Sequence, residues 1–442
     1  MSTTTASQSI ALAAAVESAV QQQPVIDMHT HLYPPSFGTP FPGSPGRRDD
    51  KGLMLWGIDE LLTYHYLIAE LFRVVPRGSL SYDQFWAMSK SKQADLIWRE
   101  LFIERSPISE ACRGVLTTLS GLGLDTSDRN LSSFRAFFAA QSPDDYVDRI
   151  MKTANVSSIT MTNNVFDDNE RQRWLADENV GSDPRFAAVL RFDPLIIDFP
   201  SAAARLTEWG YPASPEPDDA TIEQVRRFLR DWLKRTKSIY AAISLPPSFR
   251  YPAEGHCTGR WAAGNAVLAK AVLPVCAEFN IPFAMMIGSE RGVNPPLRDA
   301  ADMGFKADVP SVTHILRQFP DNRFFVTMLS RENQHELAVA ARKFRNLMVF
   351  GCWWFLNIPS MIDEMTRLRL ELLGTSFIPQ HSDARVIDQL VYKWNHSRRL
   401  ITAALTDKYL DLAATGWNIT TREIQRDVRH MFQDNFTNFL KG

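Results

Sequence analysis

Apolar and polar positions divide the chain into two regimes. Up to about residue 150 the apolar residues recur mostly at helical spacing, whereas beyond it short apolar runs alternate with amphipathic stretches. The earliest short run, Val25 to Met28, has the length and character of a buried strand, and Tyr33-Pro34-Pro35 breaks the extended backbone after it. Ile10 to Val20 reads as a short helix leading into that strand. Residues 34–46, rich in Pro and Gly, read as loop. Ile58 to Val74, Tyr82 to Glu104, Ile108 to Leu122 and Leu131 to Gln141 read as helices. This stretch is too long for a simple loop, so residues 33–150 are expected to form a large helical insertion after strand 1.

From Asp144 onward helix and strand alternate. Strands are predicted over Ser157–Thr162, Phe186–Phe192, Ile239–Leu245, Pro282–Ile287, Arg323–Leu329, Leu347–Phe350 and Phe377–Gln380. Helices over Asp144–Ala154, Thr221–Lys234, Asn265–Phe279, Val309–Phe319, Gln334–Phe344 and Ser360–Leu373 flank or separate them, and a helical tail follows from Asp388. With the first strand, the pattern is that of an α/β protein with an eightfold β/α repeat, which predicts a single (β/α)8 TIM barrel spanning residues 1–442. In such barrels chemistry gathers at the C-terminal ends of the strands.

Composition changes little in this picture. The 442 residues are 45% apolar and 22% charged, enough for a sizeable core. The net charge of -2 gives no reason to expect nucleic acid or an anionic membrane as partner. No apolar run reaches the length of a membrane span, and residues 1–22 lack the basic start of a signal peptide. Cys112, Cys257, Cys276 and Cys352 are scattered and form no Cys-x-x-Cys, as small buried residues in a reducing compartment do. A soluble cytoplasmic protein is expected, and a barrel with a protruding helical block is expected to self-associate as a homo-oligomer.

The candidate chemistry sits at the predicted strand ends. His29 and His31 lie two apart, so on extended backbone their side chains point the same way and suit one divalent metal. Asp383 follows the last strand, which in a closed barrel lies beside the first, and two His with one carboxylate suit a zinc-like ion. Asp383 also reads as a helix N-cap, a role compatible with ligation. No Lys stands at the end of strand 4 to form a bridging carbamate, since Lys237 precedes it, so one metal is expected rather than two. Arg191, Arg291 and Arg385 would point toward the mouth and suit a small anionic substrate, although any one of them reads equally as a surface salt-bridge partner. Trp353 and Trp354 are candidates to wall the site or to fill the core.

These residues carry a resemblance. Asp27-Met28-His29-Thr30-His31-Leu32-Tyr33-Pro34 resembles the strand-1 signature of the amidohydrolase superfamily, and more narrowly the chain resembles the uronate isomerase (glucuronate isomerase) family. His65-Tyr66 matches that family's His-Tyr pair in the insertion, and Arg191 in Leu-Arg-Phe-Asp-Pro fits its strand-3 turn loosely. Met286-Ile287-Gly288-Ser289-Glu290-Arg291 aligns with a strand-5 motif, Phe350-Gly351-Cys352-Trp353-Trp354-Phe355 with a strand-7 motif, and Ser382-Asp383-Ala384-Arg385 with a strand-8 motif. Two departures stand out: Met286 replaces the family's strand-5 His, and Leu245 to Arg250 lacks its Ser-Asp-His-Gly element, the nearest imidazole being His256.

The resemblance implies an aldose–ketose isomerase of a hexuronate, with one divalent ion, zinc first and manganese second, on His29, His31 and Asp383. It implies catalytic roles for Asp383, His65, Tyr66 and Arg385, and substrate contacts from Arg191, Arg291, Trp353 and Trp354. The alternative is a metal-dependent hydrolase or lyase of the same superfamily acting on another small carboxylate, for which the loss of the strand-5 His is easier to accept.

Overall fold

The computed structural model describes residues 6–41, 49–252 and 258–442. His256, Cys257 and part of the predicted 34–46 loop lie outside the described residues. Seven parallel strands form one curled sheet in chain order: β1 (Val25–Thr30), β2 (Val156–Asn164), β3 (Phe186–Arg191), β4 (Ala241–Leu245), β5 (Phe283–Ile287), β6 (Phe324–Met328) and β7 (Leu347–Val349). β4, β5 and β6 are short, dominated by Ala, Ile, Leu, Val, Met and Phe, and buried along their whole length. Strands covered on both faces need such unbroken apolar runs.

The predicted eighth strand, Phe377–Gln380, is reduced to one parallel bridge between Phe350 and Ile378. Pro379 has no N–H for a ladder, and the side chain of Gln380 takes over, its Oε1 accepting from the N–H groups of Cys352 at 2.7 Å and His381 at 3.0 Å. Further along, the same segment meets the other edge of the sheet. Asp383 N–H donates to His29 O at 3.2 Å, and His31 N–H donates to Ala384 O at 2.7 Å. Residues 377–384 therefore bridge β7 and β1.

Two bodies of apolar packing hold the sheet. The larger joins its outer face to the helices. The smaller fills the inside of the curl with Met28, Val189, Tyr240, Ala242, Ala284, Met286, Phe325, Phe350 and Ile378, and Phe436 of the C-terminal helix Asn435–Lys441 packs on Phe325 at 5.7 Å. Met286 is an interior packing residue here, 1% exposed.

Between β1 and β2 the chain is helical, from Ile58–Leu62 to Pro143–Ala154. Its pattern differs from expectation in one place that matters. The predicted Ile58–Val74 helix breaks at Thr63 and Tyr64, and a second helix, His65–Val74, starts from the extended backbone of Tyr64 (φ -66°, ψ 142°). Thr63 Oγ1 donates back to Asp59 O at 2.7 Å, a local bond that competes with helix continuation. Among the described residues no helix is long and apolar enough to cross a membrane.

Two buried carboxylates fasten these parts. Asp27, fully buried in β1, accepts from Ser382 N–H at 3.0 Å on one oxygen and from Trp394 Nε1 at 2.8 Å on the other. An Asp27→Asn variant can keep only one of these acceptors. It is expected to lose about 1–3 kcal/mol of stability, read as a lowered unfolding midpoint. Glu170 accepts from Asn163 Nδ2 at 2.8 Å, and from Asn164 N–H and Tyr33 Oη at 2.9 Å each. Burial outweighs these bonds and pushes its carboxyl from 4.5 up to about 7. The folded state thus holds this proton more tightly than the unfolded one. The stability it contributes is complete below the unfolded value and is lost as pH rises through 7, an effect of about 3 kcal/mol. In denaturant titrations the gap between wild type and Glu170→Gln should shift in the variant's favour from pH 5 to pH 8.

Candidate active site

His29 and His31 emerge on one face at the end of β1, with ring centroids 5.3 Å apart. Because residues 377–384 pair with β1, Asp383 is delivered between them, its Oδ1 lying 3.4 Å from each Nε2. Ligand atoms of the three residues all fall within 4.8 Å of one another. The other nitrogen of His29, Nδ1, lies 3.2 Å from Thr162 Oγ1 of β2, which leaves Nε2 as the free end of the ring. Both His29 Nε2 and Asp383 Oδ1 are buried without a hydrogen-bond partner. Buried polar atoms are rarely left so, and a cation between them would satisfy both. Two imidazole nitrogens and one carboxylate oxygen are a suitable donor set for a zinc-like ion with positions open to substrate.

The protonation states agree with ligation. Burial pushes His31 down to about 4, only partly offset by Asp383, so the ring is neutral at pH 7. Burial works to raise Asp383, but the His29 and His31 side chains together hold its carboxyl well below the usual range. Asp383 also has a left-handed backbone, φ +52°, which few residues other than Gly adopt without cost.

Around this centre the cavity is lined by Tyr64, His65, Arg191, Ser244, Arg291, Trp353, Trp354 and Arg385, with Asp299 and Asp302. Arg191 ends β3 and is clamped by Asp193, whose two oxygens both lie 3.0 Å from Nε. Burial disfavours its charge, yet Asp193 holds its pKa above the ordinary value. Asp193 also accepts from Ser244 N–H at 2.9 Å, which ties the ends of β3 and β4. Arg291, 55% exposed, pairs with Asp302 and lies 5.2 Å over the ring of Trp354. Arg385 is exposed to the cavity and has no carboxylate within ion-pairing distance among the described residues. Both tryptophans line the cavity while largely buried, so neither is purely core.

His65 reaches the site because its helix begins there. Its Nε2 accepts from Trp354 Nε1 at 3.2 Å, which places its own proton on Nδ1. Burial pushes it down to about 3, so it acts as a neutral ring. Tyr66 stands one step back, packed edge-on to His65 at 4.4 Å and against Phe355 at 5.7 Å, whereas Tyr64 lines the cavity directly. Sequence reasoning missed Tyr64, Ser244, Asp299 and Asp302. The helix break that turns Tyr64 inward carries no Pro or Gly, and Asp299 and Asp302 stand on an irregular excursion after β5 that has no period to read.

Among solved structures, a uronate isomerase from Bacillus halodurans C-125 matches with a TM-score of 0.90 and 50% identity, over 99% of this chain and 97% of that one. The chain belongs to the uronate isomerase family. A uronate isomerase from Thermotoga maritima (TM-score 0.76, 13% identity, 97% of each chain) shares the fold. So does a glucuronate isomerase from Caulobacter crescentus (TM-score 0.75, 15% identity, 98% of this chain and 94% of that one). No family sequence model and no curated protein sequence matches the chain. Met286, where the expected motif has His, packs inside the curl and is not among the residues lining the cavity.

Zinc or manganese added to metal-free protein is expected to raise its unfolding midpoint, by about 2.7 kcal/mol at a free-ion concentration near 100 times Kd. Asp383→Ala and His29→Ala should abolish that rise and lose bound metal in elemental analysis.

Proposed function

We propose that this protein is a metal-dependent aldose–ketose isomerase acting on a hexuronate, with His29, His31 and Asp383 holding one divalent ion, zinc in preference to manganese. The observation that carries the reading is the cavity of a chain half identical to a uronate isomerase, in which a two-His, one-Asp centre lies with Arg191, Arg291 and Arg385. The same reading takes the curled sheet and residues 377–384 as a (β/α)8 barrel, with the helices between β1 and β2 inserted after its first strand.

The reaction moves one proton from C2 to C1 of the open-chain sugar through an enediol. The C1 aldehyde becomes a hydroxyl and the C2 hydroxyl a carbonyl, with no net gain or loss of atoms or electrons. When bound, the ion supplies a Lewis acid that polarises substrate oxygens. Asp383, held ionised, accepts hydroxyl protons as the sugar ring opens. His65, neutral and with its proton on Nδ1, donates a hydrogen bond without adding charge, and Tyr66, one step behind, supports the His65 ring edge-on. Arg385, without an ion-pair partner among the described residues, takes developing negative charge on the enediol or the substrate carboxylate. Arg191 and Arg291, each shared with an aspartate, orient the rest of the sugar acid, and Trp353 and Trp354 wall it.

Metal-loaded protein incubated with glucuronate or galacturonate in deuterated water should give ketouronate signals in proton NMR. Absence of ketouronate from both would remove the isomerase reading, and solvent oxygen-18 appearing in the product would point to the hydrolase alternative. Arg385→Met should lower kcat/KM by about 100-fold, the loss of one charge-assisted contact of about 2–3 kcal/mol.

A further inference from the structure

Asp383 is not the only strained residue at the cavity. Trp354 also has left-handed backbone, φ +49°. One residue lies on the ion side, the other on the opposite wall, where its indole meets His65 and Arg291. Such conformations persist only where their surroundings over-determine them. One buried residue, Asn357, joins the two segments: its backbone closes the turn that carries Trp354, and its side chain bonds the residues before Asp383.

Asn357 Nδ2 donates to the carbonyls of His381 at 3.3 Å and Ser382 at 3.2 Å, the two residues before Asp383. Its backbone N–H donates to Trp354 O at 2.9 Å and closes the turn that carries the indole. Its Oδ1 accepts from Gln380 Nε2 at 3.2 Å and lies 3.2 Å from His396 Nε2. The orientation of this amide is dictated by its neighbours. Gln380 Oε1 is committed to two backbone N–H groups, so the Gln380 amide nitrogen must face Asn357. A flipped Asn357 would set NH2 against NH2 on one side and carbonyl against two carbonyls on the other. His396 is held in turn by the Glu110 carboxylate on its Nδ1, and Asn357, Gln380 and His396 are all at most 5% exposed.

We propose that Asn357 is a positioning residue whose side chain ties the turn after Trp354 to the segment before Asp383, so that removing it shifts both ion affinity and the fit of the sugar acid against the tryptophan wall. This inference rests on the reading of His29, His31 and Asp383 as an ion site.

The test uses Asn357→Ala, with zinc affinity measured by competition against a chelating dye. Asn346→Ala serves as the matched control. That buried residue also donates to two carbonyls, Leu316 O at 3.1 Å and Phe319 O at 3.2 Å, but it precedes β7 at the far end of the strand. Asn357→Ala should weaken zinc binding by about 10–100-fold and raise KM for the hexuronate, as loss of a group behind a ligand does. Asn346→Ala should lower the unfolding midpoint yet keep zinc affinity. If Asn357→Ala does not fold, Asn357→Leu, which keeps the volume, is measured instead. Wild-type zinc affinity in the Asn357 variant, or equal weakening in the Asn346 control, overturns this inference alone. Failure of the wild type itself to bind zinc or manganese overturns the ion-site reading and this inference with it.

Discussion

The site depends on one buried carboxylate that joins the first strand of the curled sheet to the segment following its last. Asp27 spends one oxygen on the backbone of Ser382 and the other on the indole of Trp394. Burial raises its pKa, and the two bonds work against that rise. Its cost in isolation would be several kcal/mol, so both partners must be present for it to be tolerated. Once they are, the register of residues 382–384 against β1 is fixed, and the position of Asp383 between the two imidazoles follows from that register.

The cavity is nearly balanced in charge, three arginines facing three aspartates in its lining. Asp193 and Asp302 neutralise Arg191 and Arg291, and Asp383 offsets part of any bound ion. Arg385 is exposed and has no carboxylate within ion-pairing distance among the described residues. On the proposed reading such a site suits a ligand with one negative charge and several hydroxyls, because Arg385 is the lining guanidinium left without an ion pair among the described residues.

Much of this was legible in the sequence, for stated reasons. Strands buried on both faces read as continuous apolar runs, so the β/α alternation and seven of the eight expected strands were visible within a few residues. His29, His31 and Asp383 were legible because period two fixes the facing of the pair and barrel order puts the last strand beside the first. Other features depend on contacts that spacing does not encode. Tyr64 rather than Tyr66 lines the cavity because a helix stops at Thr63 through a side chain–backbone bond, with no breaker residue to announce it. The last strand shrank to a bridge because Gln380 took its hydrogen bonds through a side chain. Arg191 and Asp193 stand two apart in the sequence, but whether they pair or reach for substrate is a choice of rotamer.

The ion centre is also a statement about sequence distance. His31 and Asp383 belong to opposite ends of the sheet order, and everything between them must be threaded into place before their atoms meet. Closing so long a loop costs entropy that only the finished packing repays. A growing or partly folded chain therefore presents a His-x-His pair, a weak and indiscriminate ligand, and not the three-donor centre. On the proposed reading, ion capture therefore waits until residues 377–384 have paired with β1 and brought Asp383 to the two imidazoles.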